Sequence, residues 1–304
     1  MKNVLKKIAL LMLAVSMTVP AASALGIPAA SVAEAASTEK ITLYVGEKFA
    51  VSGVKSIKSG NSKVVKAGTD KSSGYVTRYM IAKKAGTATV TTKSSYGNYT
   101  TKYKVTVKKN PCTATIKWSA YKMSDTSKYG EAFITIKNSS SQIFDDVEVR
   151  YTLKKADGSV IEEDTKSAYS GIAGKGKAYI ILSGVDKTEV ADMSVKVTGL
   201  THYPNYNYKD VTSKVKVETS EEAADKEIKV QLTAKNTTKS SVSGSAYFVL
   251  KDGSGEVIGV KSASTFYLKS KATDTSVEKT LDIAYYPGYD HYEVENYFYT
   301  KKIK

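Results

Sequence analysis

The 304-residue chain has one cysteine and two histidines, and its only arginines are Arg78 and Arg150. Each scarcity closes a class of function. Cys112 alone cannot form an intrachain disulfide, so the domains must hold together by packing, and the residue reads as a small buried hydrophobe. His202 and His291 lack a second histidine or cysteine at ligand spacing, so no metal site is expected. Without clustered arginine forks to read base edges, sequence-specific nucleic-acid recognition is disfavoured. The sequence has no GxSxG, HExxH, P-loop or CxxC pattern, and nothing marks a nucleophile, base or cofactor loop. The expectation is a non-enzymatic protein with no cofactor. The carboxylate pairs Asp145-Asp146 and Glu162-Glu163 stand beside turns, where solvated charge accounts for them. Past the N-terminus, no apolar run is long enough for a membrane span.

What is present begins with an export layout. Lys2, Lys6 and Lys7 form a positive start, and Ile8 to Val19 a short apolar core. Ala22-Ser23-Ala24 and Ala33-Glu34-Ala35 supply two small-residue cleavage sites. The core is too short to cross a bilayer, so residues 1–36 are expected to be a secretory signal peptide, cut after Ala24 or near Ala35-Ala36. Cleavage after Ala36 leaves 268 of the 304 residues, enough for two or three small domains. No cysteine lies near the cleavage sites, and the C-terminal NYFYTKKIK holds neither a sorting motif nor an apolar anchor. The expected product is secreted, with no evident covalent tether.

Beyond residue 36 the hydrophobic period is two. Ile41-Thr-Leu43-Tyr-Val45, Tyr103-Lys-Val105-Thr-Val107, Val147-Glu-Val149-Arg-Tyr151 and Val215-Lys-Val217 alternate apolar with polar, and turns such as Asp157-Gly158 and Asp252-Gly-Ser-Gly255 separate such runs. Short alternating strands between turns predict an all-β chain of tandem immunoglobulin-like antiparallel β-sandwiches. Ser220 to Glu227 is the one helix-like stretch, short and weak. Breaks at Lys108-Lys-Asn-Pro111 and Thr201-His-Tyr-Pro204 divide the chain into 37–108, 111–200 and 210–304, strung in line.

The second and third pieces read as a repeat. ITIKNSSSQ (134–142) matches LTAKNTTKS (232–240), and each is followed by an alternating strand, an Asp-Gly turn, a Val-Ile pair and Lys-Ser-Ala at 166–168 or 261–263. The Asn-Ser and Asn-Thr pairs also fit the glycosylation pattern, but their simplest use is to end a strand by bonding their own backbone.

ITLYVGEKF, GNSKVVKAG, KKAGTATVTT and KYKVTV occur in the order found in the bacterial group 2 immunoglobulin-like domain. Residues 37–108 resemble that family, with Val45-Gly46-Glu47 at its early turn and Ala85-Gly86-Thr87-Ala88-Thr89-Val90 on its late strand. The stretch Thr69 to Tyr79 is longer and richer in tyrosine than the pattern. The repeats resemble the FxLYD-type extracellular domains: Phe248-Val-Leu250-Lys-Asp252 keeps the frame with lysine in place of tyrosine, and Tyr151-Thr-Leu153-Lys-Lys-Ala-Asp157 follows it more loosely. Both resemblances imply a bacterial secreted or surface module for adhesion, spacing or ligand binding. The implied partners are a cell-wall polyanion, a glycan, or a host or surface protein.

The net charge of +15 is uneven. In 37–108, thirteen lysines and Arg78 face only Glu39, Glu47 and Asp70, a net charge of +11, while 109–208 and 209–304 each carry +1. Lysine as a solubilising filler explains the shortage of arginine but not why one domain lacks balancing acids; a polyanion-binding surface explains the second. The candidates are Lys83, Lys84, Lys102, Lys104 and Lys108, of which the last three alternate with Tyr103, Val105 and Val107 and should share a solvent face.

Tyrosine is abundant, at 22 residues. The dense stretch from Tyr285 to Tyr299, with Tyr285, Tyr286, Tyr289 and Tyr292, is an alternative sugar-binding face. Carbohydrate platforms favour tryptophan, however, and Trp118 is the only one. Packing of the closing strand is the competing account.

Overall fold

The structure, a computed structural model, describes residues 36–71, 76–124, 126–168, 171–202, 206–224 and 226–303. Apart from Ala36, the expected signal peptide lies outside them. The described residues form twenty strands and two single-turn 3-10 helices, Thr212–Lys214 and Ile283–Tyr285, so the chain is all-β as the alternation predicts.

The first unit holds β1 (Ala36–Tyr44), β2 (Lys48–Val51), β3 (Val54–Ser59), β4 (Val65–Asp70), β5 (Thr77–Ala82), β6 (Gly86–Ser94) and β7 (Thr100–Lys108). One sheet has the order β1-β7-β6-β3 and the other β2-β5-β4; β1 runs parallel to β7. Leu43, Val65, Met80, Val90 and Val105 meet between the sheets, each at most 1% exposed. On β6 the inward residues are Ala88, Val90 and Thr92, small enough for the sheets to approach closely. Gly86 opens that strand at φ +148°, and a Cβ there would lie 3.2 Å from the Val64 Cγ2.

The second unit holds β8 (Cys112–Trp118), β9 (Tyr129–Asn138), β10 (Asp146–Lys154), β11 (Val160–Ser167), β12 (Lys177–Asp186) and β13 (Asp192–Thr201), in sheets β12-β9-β8 and β11-β10-β13. The third holds β14 (Tyr206–Asp210), β15 (Val215–Ala223), β16 (Ile228–Asn236), β17 (Val242–Asp252), β18 (Val257–Leu268), β19 (Thr273–Leu281) and β20 (Tyr289–Ile303), in sheets β15-β16-β19 and β14-β20-β17-β18. Apart from β14, which adds Tyr206–Asp210 to the third unit by pairing with β20, the two strand orders are the same. The helix-like stretch at 220–227 is not helical: β15 stays paired with β16 as far as Ala223↔Ile228, because the strong alternation of β16, which starts at Ile228, carries the ladder to that end.

The matched asparagines occupy equivalent corners. Asn138 Nδ2 donates to the Gln142 and Ala173 carbonyls, at 2.6 and 2.9 Å, and its Oδ1 accepts the Ser140 amide at 3.0 Å. Asn236 Nδ2 donates to the Ser240 and Lys269 carbonyls, both at 2.8 Å, and its Oδ1 accepts the Thr238 amide at 2.9 Å. Both residues are buried.

The units are not simply strung in line. Phe133 and Tyr179 of the second unit pack with Tyr247, Val249 and Val260 of the third in a cluster of their own, so strand faces turned away from each core close on one another. Further polar contacts join the same units, among them Lys177 and Tyr179 with Glu295 and Lys117 with Glu256. Glu131 accepts Lys261 Nζ at 3.0 Å and the Tyr286 hydroxyl at 3.0 Å. Asp145 accepts the Tyr208 and Tyr299 hydroxyls and Lys301 Nζ. Asp145 is therefore a structural acceptor, not the solvated charge expected beside a turn, and Glu162 likewise accepts the Tyr151 hydroxyl. The first unit meets the second at Glu47, which is fully buried: its carboxylate accepts the Tyr44 and His202 amides and contacts His202 Nδ1, and its backbone bridges Leu200. Gly46 stands beside it at φ +95°, where a Cβ would press on the Thr198 carbonyl at 3.2 Å.

Candidate functional site

The strand register places the basic residues of the first unit on one sheet. Because side chains alternate along a strand, the residues of β1-β7-β6-β3 opposite the core form rows that run across the sheet. One row is Lys40, Lys104 and Thr89, and the next is Thr38, Lys102, Thr91 and Lys58. Thr42, Thr106 and Thr87 lie on one side of these rows; Thr100, Lys93 and Ser56 lie on the other. Each residue named in these rows is lysine, threonine or serine, none is acidic, and among them Thr100 is buried. Successive rows are about 7 Å apart.

Lys40 and Lys104 sit opposite each other on neighbouring strands, about 5 Å apart across the ladder. Like charges placed this way repel. Among the described residues, the side chains of Lys40, Lys58, Lys102 and Lys104 make no ion pair or hydrogen bond. The face therefore has a positive potential that the protein leaves unbalanced. It is also concave: Gly60 and Asn61, beyond the end of β3, wall a groove of ≈ 710 Å³ floored by Thr42, Thr87, Thr89, Thr106, Lys40 and Lys104.

Of the five lysines singled out from sequence, Lys102 and Lys104 lie on this face with their ammonium groups exposed. Lys108 continues the same face, beside Tyr44 in register. The Tyr44 ring there is buried edge-on against Phe144, so Lys108 borders the second unit instead of the open groove. Lys83 and Lys84 are exposed in the β5–β6 loop, off the face, with their amides directed at the Val64 carbonyl. Sequence reasoning missed Lys40 and Lys58. The alternation around Lys40 was visible, but only the parallel pairing of β1 with β7 sets it against Lys104.

The tyrosine stretch does not form a sugar-binding face. Tyr286 is 2% exposed, in the third-unit core and hydrogen-bonded to Glu131, and it closes the interface between units. Burial first, and then the Glu131 charge, push its hydroxyl pKa well above the usual tyrosine value. Tyr289 and Tyr292 are half-buried against the same core, and the Tyr292 hydroxyl is held by Glu221 at 2.7 Å. Tyr285 alone of the four is exposed, at 37%. Tyr286, and Tyr289 and Tyr292 at the start of β20, pack on the core of the last sandwich.

Cys112 is buried, and burial raises its thiol to about 12. No group of three or more His, Cys, Asp or Glu among the described residues is arranged to hold a metal, and no described helix is long and apolar enough to cross a membrane.

No protein-family model matches the chain, and neither does any curated protein. Among solved structures it is similar to red sea bream transglutaminase (TM-score 0.21, 10% identity, covering 71% of this chain and 37% of that one). It is also similar to the trypsin-activated alpha-2-macroglobulin of Escherichia coli (TM-score 0.16, 8% identity, 84% and 22%). A third similarity is to the tandem CBM22-1–CBM22-2 domains of Paenibacillus barcinonensis Xyn10C (TM-score 0.15, 10% identity, 90% and 93%). The chain thus spans little more than a third of the first of these and less than a quarter of the second. At these scores the similarities carry no argument about function.

Proposed function

We propose that this is a secreted bacterial binding protein without catalytic activity, held at the cell surface on an anionic envelope polymer such as teichoic acid. The observation that carries this reading is the lysine and threonine face of β1-β7-β6-β3, where the side chains of four lysines have no ion pair or hydrogen bond among the described residues. The +11 of residues 37–108 is then a docking surface, not filler. Lysine suits the task, because a flexible point charge follows an irregular phosphate chain without needing a fixed fork. The resemblance of 37–108 to bacterial group 2 immunoglobulin-like domains, and of the two following units to FxLYD-type domains, supports a surface module. Those two units serve as a joined spacer that presents the first.

The test uses purified cell walls. Each exposed contact is weak and salt-screened, with a Debye length falling from about 10 Å at 0.1 M to about 3 Å at 1 M. The protein should bind in low salt and come off steeply as NaCl rises, and K40E/K102E/K104E, folded by circular dichroism, should not bind. Retention of the wild type at 1 M NaCl, or equal binding of the variant, would remove the proposal.

A further inference from the structure

The polar residues of the basic face are not only lysines. Thr38, Thr42, Thr87, Thr89, Thr91 and Thr106 alternate with them, and a surface built for charge alone would not need so many hydroxyls. Followed away from the groove, the face ends at the β6–β7 hairpin, which carries the most exposed large hydrophobic side chain among the described residues: Tyr96 is 79% exposed and Tyr99 50%. Large aromatics at a loop tip expose apolar area with nothing in the fold to bury it.

The tip is not loose. The Ser94 amide donates to the Tyr99 carbonyl at 2.9 Å, the Tyr96 amide to Ser94 Oγ at 2.9 Å, and the Ser95 amide to the Gly53 carbonyl at 2.8 Å. The Tyr96 ring comes within 3.7 Å of where a Cβ on Gly53 would stand, and the Tyr99 ring within 3.1 Å of the same point on Gly97. These bonds fix the backbone of the tip, and both rings stand exposed on it. Neither hydroxyl has a hydrogen-bond partner among the described residues.

We infer that the ligand of this face is an acidic polysaccharide, a polymer that carries sugar rings as well as anionic groups. The chain would run along β7 from the groove at Lys40 and Lys104, past Lys102, to the tyrosine tip. The lysines meet its anionic groups, the threonines exchange hydrogen bonds with its hydroxyls, and Tyr96 and Tyr99 pack on ring faces. From Lys104 to Tyr99 the path is about 17 Å along the strand, longer than one sugar residue, so the site reads several units at once. A tip backbone already fixed by its own hydrogen bonds lowers the ordering cost of stacking there.

This inference rests on the proposed polyanion face, and the experiment keeps the two apart. The chain from Ala36 onward, which holds every described strand, is titrated with inorganic polyphosphate, which has charge alone, and with polygalacturonate, which has charge and sugar rings. At low salt both should bind the wild type. At 0.5 M NaCl polygalacturonate should persist and polyphosphate should not, because stacking is not screened. Y96A/Y99A should weaken polygalacturonate about tenfold, roughly 1.4 kcal/mol, and leave polyphosphate unchanged. Equal salt sensitivity of the two probes, or no effect of Y96A/Y99A, overturns the polysaccharide inference while leaving the polyanion face standing. Failure of both probes to bind overturns both.

Discussion

Asn138 and Asn236 each bond at least two carbonyls and one amide with a single buried side chain. Truncation strands those backbone groups, at about 1–3 kcal/mol for each left buried and unpaired. Asn236→Ala should therefore lower stability by about 3 kcal/mol in urea unfolding. Since Nδ2 is the acceptor atom for a glycan and both side chains are buried, expression in a glycosylating host should add no sugar at either site, as checked by mass spectrometry. Glu47 has a comparable role between units. Glu47→Ala removes the acceptor of the Tyr44 and His202 amides and should cost about 3 kcal/mol, read in calorimetry as a lower and separate melting transition for the first unit. The sequence carried notice of the asparagine corners, because Asn followed by Ser or Thr recurs at the same place in both repeats. It gave none for Glu47, whose partner lies 155 residues away.

At the scale of strands, alternation was a sufficient guide where one face meets a core and the other meets water. That condition holds for β6 and β7, so the solvent side of Lys102 and Lys104 was legible. It fails where both faces are buried. Tyr179 on β12 and Tyr247 on β17 meet each other edge-on with their ring centres 5.2 Å apart, on faces that alternation marks as outward. Tyr286 was similarly hidden: a tyrosine-rich run looks the same whether its rings seal an interface or await a ligand. Burial first, and then the charges of Glu295 for Tyr179, Glu131 for Tyr286 and Asp145 for Tyr299, raise all three hydroxyls above their usual range. In the unfolded chain these groups lose protons near pH 10, while in the folded chain they hold them to higher pH. Their contribution is complete below about pH 10 and is lost as pH rises further. Stability should be flat with respect to these groups from pH 7 to 9 and fall above 10. Tyrosinate absorbance should rise together with the loss of β-structure, and Y179F and Y286F should blunt the fall.

For the whole molecule, the order of strands predicted three sandwiches but not how they meet. The second and third share a cluster of buried side chains and several ion pairs and hydrogen bonds, so they should unfold in one calorimetric transition. Lys261→Ala should destabilise that transition and leave the first unit unchanged. The first unit touches the rest at one end, through Gly46, Glu47 and Tyr44, which keeps its β1-β7-β6-β3 face open along most of its length. The charge imbalance pointed to this unit from sequence; the face itself appeared only when the β1–β7 register set Lys40 beside Lys104. The account stands or falls on that face acting as one anionic docking surface. The most direct measurement is the affinity of the purified chain for poly(glycerol phosphate) as a function of NaCl, compared between Lys102→Ala/Lys104→Ala on the face and Lys83→Ala/Lys84→Ala in the loop. The face pair should reduce the slope of log affinity against log salt by about one per lysine removed, and the loop pair should leave it unchanged. Equal effects of the two pairs, or none from the face pair, would contradict the account.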